Sequence, residues 1–315
     1  MATVSVAGGT GGLGRTIVDE LVRQGKYKVL IFSRRASTIP KLKTVPVLHA
    51  DYSNPAAMKK LLQEHSVDVV ISALSLFDED SAKAQMVLIN AAIESGTVKR
   101  FVPSEFGVDY TQPGLADAHP GARWFNDAAD MLRESKLEFT RVIFGQLTDH
   151  YGYPHCQSYM KQFTYFMDFV NRKAAVPGDG EASATFLHSA DVAKYTVALL
   201  DEDKWPQFSA FASDRLTWNE LVRLAEKVTG AKWDVTHDSL GQLRKGEVTF
   251  LQQPTGAGSY NMPEDAGRQM AAEFGIMAAE GIMDVSPVGL RNGEFPDVEP
   301  ITVEKLIAQA WGKKN

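Results

Sequence analysis

The sequence predicts a doubly wound α/β fold, in which helices cover both faces of a mostly parallel sheet. Three observations indicate this fold class. Short β-branched runs alternate with segments of helical period, those runs are apolar along their whole length, and a glycine-rich turn joins the first run to the first helix. Continuous apolarity is typical of parallel strands that are buried on both faces.

The predicted strands and helices alternate along the first half of the chain. The strands are Thr3–Ala7, Lys28–Ser33, Val45–His49, Val67–Ala73, Arg100–Val102 and Leu137–Phe144. The helices are expected, in order, from Leu13 to just before Gly25, from the N-cap residue Asn54, over Ser81–Ser95 and over Phe125–Glu134. This order, with a helix between most pairs of strands, is typical of a parallel sheet.

The pattern loosens near residue 150, where we expect a change of domain. The first domain is expected to span 1–150, completed by parts of 185–215, and a smaller, mostly helical domain to span 151–315, interleaved with the first. Thr217 and Glu220 resemble a capping box before a helix over Leu221–Thr229. The other elements expected here are an aromatic-rich helix over Tyr159–Val170, a helix over Asp191–Leu200 and a strand over Phe208–Ala212.

Composition and charge exclude several classes of protein. The 315 residues carry 33 Lys and Arg against 39 Asp and Glu, a net charge of −6, with no basic block that could follow a phosphate backbone. Nucleic acid is therefore not expected as a partner. The single cysteine, Cys156, allows neither an internal disulfide nor a multi-cysteine metal site, and no metal is expected. No apolar run approaches the ~18 residues of a membrane span and no secretion signal is recognisable, so we expect a cytoplasmic protein without a membrane partner.

A glycine-rich segment directly follows the first predicted strand and opens the first helix. It reads Gly8-Gly9-Thr10-Gly11-Gly12-Leu13-Gly14 and satisfies G-x-x-G-x-x-G, as well as G-x-G-x-x-G from Gly9. Glycines permit the tight turn, and the helix N-terminus offers unpaired N–H groups and a partial positive charge to a pyrophosphate. This setting predicts a dinucleotide-binding site of Rossmann type. The alternative is a glycine-rich structural turn.

The end of the second predicted strand indicates which dinucleotide would bind. An NAD site needs an acidic residue there, but the sequence reads Ser33, Arg34 and Arg35. A guanidinium can bind a 2′-phosphate through paired, charge-assisted hydrogen bonds. The expected cofactor is therefore NADP(H). The alternative is a solvated arginine pair on a loop.

Three strings, one of them containing the glycine-rich segment, carry a resemblance to a known family. They are RFVPSEFG over 100–107, AGGTGGLG over 7–14 and VPGDG over 176–180. Together they resemble the NmrA-like and isoflavone-reductase-like family of atypical short-chain dehydrogenases, especially its fungal members, over about residues 3–230. The resemblance implies a Rossmann domain, a smaller substrate-binding domain at the C-terminal side, NADPH, and a role in aromatic or secondary metabolism.

The resemblance also implies a set of cofactor-binding residues. Carried over position by position, they are Gly8, Thr10, Gly11, Gly12, Leu13, Gly14, Arg34 with Lys41 or Lys43, Ser72, Ala73, Leu74, Pro103, Ser104, Glu105 and Phe106. The last four are expected beside the nicotinamide.

The sequence departs from the family at its catalytic lysine. Family reductases carry this lysine in a helix after the PSEFG string, in a pattern close to F-x-x-K. Here Phe125 is followed three positions later by Ala128, and counting back from Leu137–Thr140 leaves the segment a few residues short of the family pattern. Neither alignment, the one from Phe125 or the one counted back from Leu137–Thr140, finds a lysine, because none occurs between Lys99 and Lys136. The Y-x-x-x-K pair of ordinary short-chain dehydrogenases is absent as well.

Another group must then deliver the proton if a reaction occurs. The candidates in the sequence are Asp109, Tyr110, Asp127, His150, Tyr151, His155, Tyr159 and Lys161. We favour His150 and Tyr151, because they follow the strand that ends near Phe144 and should lie on a loop at the ligand edge of the sheet. For each candidate the alternative is an exposed polar residue or a hydrogen-bond partner within the fold.

Two classes of function remain. The first is an NADPH-dependent reductase of a small aromatic or polyketide-like metabolite, which the family favours. The second is a protein that binds NADP(H) without redox turnover, either a redox-sensing regulator or an isomerase on the same fold, which the missing lysine favours. The sequence does not identify the substrate or the oligomeric state.

Overall fold

The computed structural model describes residues 1–35, 44–112, 115, 119 and 121–312. The chain forms two compact units. The first contains residues 1–143 and 192–209, and the second contains 144–191 and 210–315. None of the helices in the described ranges has the length and apolar character that crossing a membrane requires.

The strands and helices follow in chain order. The strands are β1 (Thr3–Ala7), β2 (Lys28–Ser33), β3 (Val47–His49), β4 (Val69–Ser72), β5 (Arg100–Val102), β6 (Glu138–Phe139), β7 (Arg141–Ile143), β8 (Gln146–Leu147), β9 (Met167–Asp168), β10 (Lys173–Pro177), β11 (Ser183–Leu187), β12 (Phe208–Ala210), β13 (Asp214–Thr217) and β14 (Asp234–Asp238). The helices are α1 (Gly12–Gln24), α2 (Pro55–Glu64), α3 (Glu79–Ser95), α4 (Ala122–Arg133), α5 (Asp149–Gly152), α6 (Ser189–Ala198), α7 (Trp218–Thr229), α8 (Leu240–Leu243), α9 (Glu264–Ala279) and α10 (Val303–Trp311).

The first unit is built on a six-stranded parallel sheet. Its strand order is β3-β2-β1-β4-β5-β6. The chain runs outward from β1 to β3, then returns and continues on the other side from β4. Such a switch point leaves a crevice at the carboxyl ends of the central strands, where doubly wound sheets bind their ligands. The doubly wound fold predicted from the sequence is confirmed.

The core of this unit explains why its strands are apolar on both faces. Phe32 and Phe101 are buried in a cluster with Leu88 and Ile89 of α3 and with Leu132 of α4. A strand that is covered in this way has no solvated face, so alternation of polar and apolar residues is lost.

Local capping sets the helix boundaries in this unit. Asn54 accepts a hydrogen bond from the Ala57 N–H before α2, with Pro55 in the first turn, as the sequence predicts. Asp78 and Ser81 form a capping box, so α3 begins at Glu79 rather than at Ser81.

Several strand bounds differ from the expectations. β3 and β4 are shorter than predicted, and the expected strand over Leu137–Phe144 is wrong as a single element. It divides into β6, which completes the large sheet, and β7, which pairs with β12. The division falls at Thr140, whose hydroxyl lies 2.8 Å from the Ser209 hydroxyl.

The second unit contains two three-stranded sheets as well as helices. Their strand orders are β14-β10-β9 and β13-β11-β8, and each mixes parallel and antiparallel pairs. The predicted capping box is confirmed, because Thr217 accepts from the Glu220 N–H and Glu220 accepts from the Thr217 N–H.

The helix predicted over Tyr159–Val170 is wrong. This segment forms turns and bends and then β9. Its aromatic side chains do have helical spacing, but they contact distant parts of the chain: Phe166 packs on Trp218 and Phe169 on Trp233. The backbone N–H and C=O of Thr164 are paired by the Gln253 side chain, which replaces helical hydrogen bonds.

Candidate cofactor-binding and active site

The glycine loop forms an open turn between β1 and α1. A Cβ on Gly14 would lie 2.5 Å from the carbonyl oxygen of Gly8, and a Cβ on Gly8 would meet the carbonyl oxygen of Ala73. These two glycines therefore allow backbones to approach each other. By contrast, a Cβ on Gly11 or Gly12 would meet no described atom within 4 Å.

The N-terminus of α1 is directed toward this open space. The helix begins at Gly12, and Gly11 before it has an extended backbone and no side chain to cap the first N–H groups. Thr10 and Leu13 beside it are half-buried. An uncapped helix N-terminus behind an unobstructed turn fits the pyrophosphate of a dinucleotide, whereas a purely structural turn would have its N–H groups paired within the protein.

Two more loops meet the glycine loop at the same edge of the sheet. The Ala73 N–H donates to the Ala7 carbonyl at 2.8 Å. The Ser104 hydroxyl donates to the Leu74 carbonyl at 2.6 Å, and the Ser104 N–H donates to the side chain of Gln85 at 2.7 Å. The structure thus brings together the carboxyl ends of β1, β4 and β5.

Two residues of these loops have unusual features, an unpartnered buried hydroxyl and a positive φ. Ser72 is fully buried, and its hydroxyl has no hydrogen-bond partner in the described part of the chain. Phe106 adopts a φ of +41°, a left-handed conformation that costs energy for any residue other than glycine. The loop after Pro103 is therefore held in a strained shape by the contacts around it.

Arg34 lies directly after β2 and is exposed. Its surroundings include Asp78, whose pKa is held below the usual range by hydrogen bonds from Ser81 and, to a smaller degree, by the charge of Arg34. Lys41 and Lys43, which the sequence also suggested, lie outside the described residues.

A buried ion pair lies behind the loop that follows β5. The Arg141 Nε donates to Glu105 Oε2 at 2.5 Å, and the two side chains are 0% and 1% exposed. Arg141 also donates to the side-chain oxygen of Asn126 at 3.2 Å and covers the Phe208 ring. Burial raises the pKa of Glu105 to about 7, against the lowering effects of Arg141 and of the Tyr110 N–H.

The sequence motifs predict Glu105 at this site but not Arg141, Asn126 or Gln85. A signal for Arg141 was present, because an arginine inside an otherwise apolar strand must find a buried partner. Asn126 and Gln85 lie within helices and carry no comparable signal.

Helix α4, which would carry the family lysine, presents two different faces. Ala128 and Leu132 are fully buried in the core under the sheet. Phe125 stacks on the Tyr110 ring with centroids 3.9 Å apart, and Asn126 donates to the Tyr110 carbonyl at 2.9 Å. The face with Phe125 and Asn126 therefore lies toward the loop after β5, and position 128 does not.

His150 and Tyr151 do not lie on a loop, contrary to the expectation. Both belong to α5, a single helical turn in the second unit. Tyr151 is 1% exposed, its ring packs on Phe169 and Phe186, and its hydroxyl has no partner among the described residues. The His150 ring lies edge-on to Tyr165, and burial lowers its pKa, against the raising effect of Asp149. Both side chains have the surroundings of packing residues.

The remaining proton-donor candidates are dispersed. Asp109 accepts hydrogen bonds from Thr111, Asp127 is exposed on α4, His155 packs on Trp311, Tyr159 is exposed and Lys161 lies over the Tyr260 ring. Among these candidates, Tyr110 is the one that contacts the Glu105 loop. No cluster of side chains in the described ranges could hold a metal ion.

Comparison with known proteins gives relatives over the whole chain. The chain is 33% identical to the Oxidoreductase swnN of Metarhizium robertsii, over 100% of this chain and 99% of that protein. It is 35% identical to the Oxidoreductase BOA1 of Botryotinia fuckeliana, over 83% and 85% respectively. The Pinoresinol reductase 2 of Arabidopsis thaliana is 27% identical over 78% of this chain and 81% of that protein.

Solved structures share the fold. The leucoanthocyanidin reductase of Vitis vinifera in binary complex with NADPH superposes with a TM-score of 0.73 at 22% identity, covering 98% of this chain and 99% of that one. A structure described as AtPrR2 with NADP+ and (+)pinoresinol gives a TM-score of 0.73 at 21% identity, with 98% of each chain covered. The family described as NmrA-like matches residues 1–292. The resemblance found in the sequence is confirmed, and the chain belongs to the NmrA-like family.

Proposed function

We propose that this protein is an NADPH-dependent reductase of a small aromatic or polyketide-like metabolite. One observation carries the proposal: the uncapped N-terminus of α1 borders open space at Gly11 and Gly12, at the switch point of the sheet. The names of its relatives, which are oxidoreductases and reductases, support the redox reaction. The fungal relatives favour a role in secondary metabolism.

The cofactor-binding residues proposed are those that surround this edge of the sheet. The N–H groups after Gly11 would bind the pyrophosphate, and Arg34, with Lys43, would bind the 2′-phosphate. The loops Ser72–Leu74 and Pro103–Phe106 would border the nicotinamide. When bound, NADPH supplies a hydride to the substrate. The protein supplies orientation and a proton. The substrate that it binds is a small molecule rather than a macromolecule.

The experiment that tests the cofactor is a calorimetric titration with NADPH and NADH. NADPH should bind at least about tenfold more tightly, which corresponds to ~1.4 kcal/mol and is modest for a charge-assisted contact. Arg34→Glu should reverse the preference, because a carboxylate repels the 2′-phosphate. Lys28→Glu is the matched control, since Lys28 is exposed at the opposite end of the same strand and should leave the preference unchanged. Equal affinity of the wild type for both cofactors would refute the proposal.

A second candidate function is binding of NADP(H) without turnover. The observation that favours it is the absence of a lysine between Lys99 and Lys136. A positioned general acid typically contributes about 10²–10⁴-fold, so we expect slow or no turnover of pinoresinol, isoflavones and phenylcoumarans. Following NADPH absorbance with these substrates tests this. Rapid turnover would exclude the second function and show that the missing lysine is fully replaced.

A further inference from the structure

The main chain of Tyr110 is held by Asn126, whose side chain Arg141 positions. The Tyr110 carbonyl accepts from Asn126 Nδ2 at 2.9 Å. Arg141 in turn donates to both Glu105 and Asn126. The fully buried Arg141 guanidinium therefore holds the residue that anchors the Tyr110 carbonyl. A side chain anchored in this way has little freedom to reorient.

The Tyr110 side chain is fixed as well. Its ring lies flat on Phe125, with centroids 3.9 Å apart and planes 5° apart. Phe125 is on the face of α4 that lies toward the loop after β5. A Cβ on Gly107 would be 3.5 Å from the Tyr110 hydroxyl oxygen, so the hydroxyl lies against the end of the PSEFG segment.

The hydroxyl itself is chemically available. It makes no hydrogen bond to any residue that the structure describes, and Tyr110 is partly exposed. Burial of the ring and the nearby Glu105 carboxylate raise the pKa of this hydroxyl, so it carries its proton at neutral pH. By contrast, the hydroxyl of Tyr151 is buried and has no partner among the described residues.

We propose that Tyr110 is the proton donor of the reductase, with Arg141, Glu105 and Asn126 as positioning residues. This rests on the proposed function. As the substrate carbonyl carbon receives the hydride, its oxygen takes the proton from the Tyr110 hydroxyl and becomes an alcohol. The tyrosinate that remains regains a proton from water. The substrate gains two electrons and two hydrogens, and NADPH leaves as NADP+. The phenol thus occupies the role of the absent lysine.

The test uses the full chain labelled with ¹³C at Cζ of its nine tyrosines. The signal of Tyr110 is assigned from its loss in Tyr110→Phe, a variant that keeps the stacked ring and should fold. We expect this signal to move on saturation with NADP+, to move by a different amount with NADPH, and to stay in place with 2′,5′-ADP, which lacks the nicotinamide. Tyr27 is the internal control. It lies at the amino end of β2, away from the glycine loop, and its hydroxyl donates to Asp201.

A Tyr110 signal that NADP+ leaves unmoved, or that 2′,5′-ADP moves equally, would overturn the proposal. Failure of NADP+ to bind would instead refute the proposed function, and calorimetry detects this before any spectrum is read. In turnover of the aromatic ketone acetophenone, Tyr110→Phe should lower kcat about 10²–10⁴-fold with the Kd of NADPH unchanged. An unchanged kcat would also overturn the assignment.

Discussion

The glycines of the loop have different structural roles, although the sequence motif does not distinguish between them. Gly14 gives α1 its close approach to the Gly8 carbonyl, and Gly11 borders open space. A side chain at position 14 would thus disturb packing, whereas one at position 11 would occupy only the volume proposed for the pyrophosphate.

This difference predicts separate outcomes for two variants. Gly11→Val should abolish NADPH binding and leave the melting temperature unchanged, because its Cβ meets no neighbour. Gly14→Val should lower both, because its Cβ would lie 2.5 Å from a backbone oxygen. Calorimetric titration and thermal unfolding measure the two effects, with Gly241→Val as a control at another unobstructed glycine. NADPH binding that survives in Gly11→Val would mean that the loop is only a turn.

The buried pair of Glu105 and Arg141 gives a second prediction at this scale. Glu105→Gln should lower the free energy of unfolding by about 3–5 kcal/mol, because it leaves the Arg141 charge buried without a counter-ion. The double variant Glu105→Leu with Arg141→Met should cost less, since no charge is then buried. Urea denaturation measures both.

The control for this pair is Glu138, which pairs with Arg100 at 2.6 Å in a partly exposed setting. Glu138→Gln should cost clearly less than Glu105→Gln. A double variant of the buried pair that is less stable than Glu105→Gln alone would contradict this account.

At the scale of elements, the two faces of α4 decide where a lysine could act. Position 128 is in the hydrophobic core, and positions 125 and 126 lie toward Tyr110. Restoring the F-x-x-K pattern literally would therefore place an ammonium group under the sheet and not beside the loop after β5.

We accordingly expect Ala128→Lys to destabilise the fold rather than to improve catalysis. Burying an unpaired ammonium and overfilling a packed site each cost several kcal/mol, so the variant should unfold at a much lower urea concentration. Asp127→Lys is the matched control, because Asp127 is the exposed neighbour in the same helix. An Ala128→Lys protein with wild-type stability and faster NADPH oxidation would show that this register is the family's catalytic one.

The elements that the sequence predicted well are those set by local rules. Helix starts at Asn54 and Thr217, and the buried strands β1 and β2, depend on neighbouring residues alone. The segment 159–170 has helical spacing, but its conformation depends on Trp218, Trp233 and Gln253, which lie far along the chain. The glycine loop could be predicted from its motif. The burial of Arg141 could be expected from its apolar strand, but its partner Glu105 could not, because the two residues are 36 positions apart.

At the scale of the whole molecule, the first unit is discontinuous in sequence. Residues 192–209 belong to it although 144–191 do not. Arg100 donates to the carbonyls of Leu200 and Asp203, and the Arg141 N–H donates to the Gln207 carbonyl. The returning segment thus satisfies polar groups of the buried strands β5 and β7.

A fragment of residues 1–150 should therefore fail to fold cooperatively or to bind NADPH, because the buried Arg141 N–H and the partly buried Arg100 guanidinium would lose these partners. Circular dichroism melts and NADPH titration measure this. Joining 1–143 to 192–209 through a long flexible linker should restore both properties, since it supplies the missing segment. Full NADPH affinity in the 1–150 fragment alone would contradict the prediction.

The discontinuity also has a consequence during synthesis on the ribosome. At about 5–20 residues per second, residue 209 emerges tens of seconds after the glycine loop. Throughout that interval the parallel strands of the large sheet lack the segment that completes them, and parallel sheets with distant partners already fold slowly. Nascent chains of this protein should therefore expose apolar strands for longer than chains whose nucleotide-binding unit is contiguous, and should depend more on chaperones to avoid aggregation.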